Sequence, residues 1–160
     1  GYSSRSHSLD DAEEWISYMK DQGIRRVVCL LSEEQLAYYS LLPDGLLGKY
    51  RTAFGNGNVL SVPLKELHLC SAEDLKKILE FLCDAESNDE PVVLHCYAGL
   101  GRTGHILAAW LVHKRGFTIE RAIQTLNNMG RDPCEAIALG DAKYDELVRL
   151  LVTASGKDTH

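Results

Sequence analysis

Residues 91–115, PVVLHCYAGLGRTGHILAAWLVHKR, constrain the fold more than any other stretch of the chain. PVVLH, at 91–95, is a β-branched apolar run that reads as a buried strand. From Arg102 to Arg115 the chain is apolar on nearly every side, which suits a helix held inside a core. His113, Lys114 and Arg115 gather in its last turn before Gly116, as the helix dipole and a left-handed stop prefer. A buried strand that runs through a glycine-rich loop into a buried helix belongs to an α/β architecture.

The same alternation recurs upstream. Ala12, Trp15, Ile16 and Met19 fall at helical spacing after a cap at Ser8, until Gly23 stops the turn. IRRVVCLL, at 24–31, reads as a buried strand and VLSVP, at 59–63, as another. Between them the chain is helical in places, broken by Pro43, Gly45 and the GNGN turn at 55–58. Ser71 with Asp74 forms an acidic capping box for a helix striped by Leu75, Ile78, Leu79 and Leu82. Thr118 caps a helix bearing Ala122, Ile123, Leu126 and Met129, which ends at Gly130, and a last helix runs from about Asp141 to Leu151. The expectation is an α/β fold with a central, mainly parallel sheet, helices on both faces, and a site at the strands' carboxyl ends. The 160 residues suffice for a core without staples, so residues 8–151 read as one domain with tails at 1–7 and 152–160.

Charge and cysteine usage narrow the setting. A formal net charge of −6 without long like-charge runs disfavours nucleic acid and anionic membrane surfaces as partners. Five cysteines, odd in number and lacking C-x-x-C pairs, are no disulfide framework, so a reduced, cytoplasmic setting is expected. The apolar run Ile106–Val112 is far too short to span a bilayer.

The loop itself fits two patterns. Gly99, Gly101 and Gly104 spell G-x-G-x-x-G, the turn that cradles a dinucleotide. That reading needs an acidic residue at the end of a second parallel strand, whereas Glu120 lies in the first turn of the helix capped by Thr118. The second pattern is a thiol, Cys96, facing a guanidinium, Arg102, across the same glycines. Successive N–H groups between a strand end and a helix amino terminus make an anion nest, which together with Arg102 would favour a thiolate. Arg102 offers a planar fork for two phosphate oxygens, and the Thr103 hydroxyl is placed to stabilise a departing thiolate. The glycines keep Cβ atoms away from the anion.

HCYAGLGRTG, at 95–104, resembles the H-C-x-x-G-x-x-R-[ST]-G signature of cysteine-dependent protein tyrosine and dual-specificity phosphatases. The layout over about residues 8–151 is similar to the small atypical dual-specificity members. The resemblance implies a phosphomonoester hydrolase with no cofactor and no metal, working through a phosphocysteine. It implies Cys96 as nucleophile and a phosphate cradle made by Tyr97, Ala98, Gly99, Leu100, Gly101 and Arg102. It also implies an Asp general acid on a Pro-containing loop; counting back thirty positions from Cys96 reaches Glu66, in VPLKELHLC after Pro63. Glu in place of Asp moves the carboxyl by about a bond length, which can cost about a hundredfold unless the loop compensates.

Other residues have plainer readings. Glu73 and Asp74 are explained by the helix cap, while His68, Asp132 and Asp141 remain alternative acids. A zinc site from His68, Cys70, His95 and Cys96 fails because adjacent strand residues face opposite sides. His95 is expected to point away from the nucleophile, and the strand holding Cys29 to neighbour the strand leading to Cys96. Cys70, Cys83 and Cys134 read as inert thiols. Two rival functions are a phosphoprotein-binding module with weak turnover and a cysteine-based arsenate reductase or sulfurtransferase. Tyr97, Ala98 and Leu100 bring no extra cation, so the expected partner is a phosphorylated protein, above all at tyrosine, or a small phosphomonoester.

Overall fold

The computed structural model describes residues 9–96 and 101–156. The chain forms two compact units, one from the segment through Pro63 with Phe81–His95, the other from Leu64–Glu80 and the segment from Cys96 onward.

The first unit holds α1 (Leu9–Asp21), β1 (Arg26–Cys29), α2 (Glu33–Leu36), α3 (Gly45–Phe54), β2 (Val59–Ser61) and β3 (Val92–His95). It also takes the second part of α4 (Ala72–Ser87). The strands form a parallel sheet in the order β2-β1-β3, with Val27 opposite Val59 and Val93. Parallel neighbours cannot be joined by tight turns, so the connections are long and helical. On one face of β1, Val27 and Cys29, with Leu31 just beyond, join Ala12, Ile16 and Met19 of α1 and Leu46 and Tyr50 of α3. Val28 and Leu30 point the other way and are also fully buried, as a central parallel strand requires. Cys29 pairs with His95, so the two strands are neighbours as expected.

Two local expectations change. The strand expected over 24–31 is regular only over Arg26–Cys29, where Val27, Val28 and Cys29 have partners on both sides. Gly45 does not break a helix but starts one: Asp44 and Gly45 both have positive φ, and α3 follows directly. Arg26 enters the sheet buried, and its guanidinium is satisfied by Asp84 at 2.8 Å and Glu90 at 2.7 Å beneath the Phe81 ring.

The second unit is helical: α5 (Gly101–Arg115), α6 (Ile119–Asn128), α7 (Glu135–Leu139) and α8 (Tyr144–Ser155), together with the first part of α4. Ile106, Ala108, Ala109 and Val112 bury α5, which packs against α6 and α8. Asp74 N–H donates to Ser71 Oγ at 3.0 Å and Arg121 N–H to Thr118 Oγ1 at 3.2 Å, so both expected caps form. The last helix starts later and ends later than its expected span. Lys143 N–H donates to the Glu146 carboxylate, which fixes the start. Leu147, Leu150, Leu151 and Ala154 make one continuous buried stripe, and the turn stops only at Gly156, whose φ is +73°. Residues 152–155 are therefore helix, not tail.

Candidate active site

Cys96 follows the last residue of β3 and is 7% exposed. Tyr97, Ala98, Gly99 and Leu100 lie outside the described residues, and Gly101 begins α5. Arg102 and Thr103 occupy the first turn of that helix, both buried. Thr103 Oγ1–H donates to Cys96 Sγ at 3.1 Å, the pairing that stabilises sulfur when it carries negative charge. Arg102 is 3% exposed, and its Nη1–H donates to the Leu64 carbonyl at 3.0 Å. Its Nη2 stands 3.8 Å from Glu66 Oε1. A buried thiol with a hydroxyl donor, a buried guanidinium and a solvent-facing carboxylate thus come together from Leu64–Glu66 and Cys96–Thr103.

The Glu66 segment lies between β2 and α4 and is neither strand nor helix. Leu67 takes a φ of +63°, a conformation that costs a non-glycine residue roughly 1–3 kcal/mol and persists only when its surroundings impose it. Backbone packs closely around it here: a Cβ on Gly140 would overlap the carbonyl oxygens of Leu67 and Ala136. The alternative acids are differently occupied. The exposed His68 is 2.8 Å through Nδ1 from the Glu66 carbonyl, Asp132 Oδ1 accepts the Cys134 N–H at 3.1 Å, and Asp141 is exposed.

Three features were not read from the sequence. Gly104 is required by packing, since a Cβ there would sit 3.0 Å from backbone atoms of Asp132 and Pro133. His95 Nε2 is 3.0 Å from the Tyr50 hydroxyl, which also accepts from Trp15 Nε1–H at 2.9 Å. His105, 1% exposed, accepts the backbone N–H of Cys70 through Nε2 at 3.1 Å. The signal for His105 was a polar side chain within an apolar helix.

Known proteins resemble the chain in sequence and in fold. Residues 3–116 match the family model described as "Tc-R-P: Polymorphic toxin system, DSP-PTPase phosphatase". A dual specificity protein phosphatase of Monkeypox virus is 31% identical over 72 residues, 42% of this chain and 40% of that protein. An uncharacterized protein of Methanocaldococcus jannaschii is 39% identical over 51 residues, 32% of this chain and 35% of that protein. These matches therefore span well under half the length of the curated relatives. The crystal structure of Tk-PTP in its active form has a TM-score of 0.67 at 21% identity, covering 94% of this chain and 88% of that one, a likeness of fold. Because the family match takes in α1, the whole sheet and the Cys96-to-Arg115 segment, the chain belongs to the DSP-PTPase phosphatase family.

Proposed function

We infer that this chain hydrolyses phosphomonoesters through a phosphocysteine, with one catalytic domain that ends with α8 at Ser155 rather than at 151. Cys96 Sγ, as thiolate, attacks phosphorus and the bond from phosphorus to the ester oxygen breaks. Glu66 gives its proton to the departing oxygen. Water then attacks phosphorus, Glu66 takes the water's proton, and the P–S bond breaks to return the Cys96 thiolate. Arg102 holds the phosphoryl oxygens, with the backbone of Tyr97, Ala98, Gly99, Leu100 and Gly101 completing the cradle. Thr103 stabilises the thiolate as it leaves.

The observation that carries this reading is the pair of contacts made from one helical turn: Thr103 to Cys96 Sγ at 3.1 Å and Arg102 to Glu66 at 3.8 Å. Family membership supports it. The substrate is a phosphorylated protein, with phosphotyrosine favoured, or a small aryl phosphate, because Tyr97, Ala98 and Leu100 add no cation for a polyphosphorylated headgroup. All five cysteines are free thiols, and thiolate chemistry needs a reducing compartment such as the cytoplasm.

Rapid acid quench of wild type with an aryl phosphate, followed by mass spectrometry, should trap phosphate on Cys96. Cys96→Ser should abolish turnover while still binding tungstate, a phosphate mimic. A wild type that binds tungstate but forms no phosphocysteine is a binding module, and turnover of arsenate or thiosulfate alone would indicate the reductase or transferase reading.

A further inference from the structure

The seven residues from Leu64 to Cys70 include Glu66 and are tied down at both ends by the same helix. Arg102 donates to the Leu64 carbonyl at 3.0 Å, and His105, three residues along α5, accepts the Cys70 N–H at 3.1 Å. Residues three apart on a helix share a face, so one edge of α5 holds both ends of the segment. Glu66 projects between these two ties, in a segment that is neither strand nor helix and whose middle is packed at Leu67 against Gly140.

The His105 contact is mutual in its chemistry. Cys70 is 6% exposed and His105 1%, so without each other a buried N–H and a buried imidazole nitrogen would lose this partner in a dry environment. An imidazole that accepts through Nε2 carries its proton on Nδ1, so the neutral tautomer is fixed. A leucine would fill an apolar helix equally well but leave the Cys70 N–H without its acceptor.

We propose that His105 is a positioning residue: by holding Cys70 it fixes the end of the segment that presents Glu66 beside Arg102. This rests on the reading of Glu66 as the proton donor. Loss of the tie lets the carboxyl drift, and a drift on the order of 1 Å costs about a hundredfold in a step that depends on alignment. In the first step, only an ester whose leaving oxygen needs the proton feels it.

The test compares His105→Leu with His105→Gln, whose side-chain oxygen reaches nearly to the Nε2 position. For each, the rate of phosphocysteine formation is measured in single-turnover kinetics on phosphotyrosine, a poor leaving group, and on a dinitrophenyl phosphate, which departs unaided. His105→Leu should slow phosphotyrosine by about tenfold to a hundredfold while changing the activated ester by no more than about threefold. His105→Gln should recover most of the loss. Amide exchange at Cys70, followed by NMR, should accelerate in the leucine variant and return toward wild type in the glutamine variant. Should the leucine variant fail to fold, His105→Asn, too short to reach Cys70, carries the same expectation. Equal slowing of both esters, no slowing, or no rescue by glutamine would overturn the proposal. A wild type unable to hydrolyse either ester would instead remove the phosphatase reading itself, so the two failures are distinct.

Discussion

Glu66 and Arg102 are unequal partners. The guanidinium is buried whereas the carboxylate is 60% exposed, so their 3.8 Å approach adds little to stability. In the proposed mechanism its value lies in where it holds the Glu66 carboxyl. The turn at Leu67, with positive φ and Gly140 packed against its carbonyl, is the local geometry into which the longer glutamate is built. Glu66→Gln should therefore slow phosphotyrosine hydrolysis by about 10²–10⁴, the usual range for a general acid, and flatten the basic limb of the pH–rate profile. An ester with a good leaving group should scarcely change in its first step. Equal slowing of both esters in single-turnover kinetics would move the proton donor elsewhere, to His68 or Asp132.

At the scale of elements, α5 is the organising piece. Its first turn supplies Arg102 and Thr103, its next residues Gly104 and His105, and Ile106, Ala108, Ala109 and Val112 beyond them are core. Gly104 marks where the helix meets the backbone of Asp132 and Pro133 with no room for a side chain. Backbone cannot rotate aside as a flexible side chain does. Gly104→Ala should therefore destabilise the protein by roughly 1–3 kcal/mol, despite alanine's better helix propensity. A urea denaturation midpoint equal to or above wild type would show that the 131–134 segment yields freely. The later end of α8 follows the same logic: Ala154 is buried, and His113 Nδ1–H donates to the Ala154 carbonyl at 2.7 Å, so packing prolongs the helix to Ser155.

For the whole molecule, buried acidic groups set the alkaline limit of stability. Burial, helped by the charge of Asp74, pushes the Cys70 thiol up to about 12 from an ordinary value of 9.0. Burial likewise raises the Tyr50 phenol, with a further push from Cys29. The folded state thus keeps protons that the unfolded chain releases. The Cys70 contribution is complete below pH 9 and is lost as pH rises through about 12. Between about pH 8 and about pH 10.5 the wild type should lose roughly 2 kcal/mol through Cys70 alone, read from urea unfolding, and Cys70→Ala should lose correspondingly less. Identical pH dependence in the two proteins would refute the assignment.

The sequence by itself determined the local elements and the chemistry of the loop. Spacing of apolar residues marks α1, α4 and α6, short-range caps at Ser71 and Thr118 mark the starts of the latter two, and HCYAGLGRTG names the thiol, guanidinium and hydroxyl, because each of these signals lies within a few consecutive residues; the cap expected at Ser8 lies outside the described residues. Only tertiary structure decided what depends on distant neighbours. It buried Arg26 against Asp84 and Glu90, carried α8 to Ser155, and assigned Gly104 to a backbone crossing nearly thirty residues away. It brought Glu66 to Arg102 across thirty-six positions and gave His105 its partner at Cys70 across thirty-five. Periodicity reports which face of an element is apolar, but a buried polar side chain declares its role only when the backbone group it satisfies arrives from elsewhere in the chain.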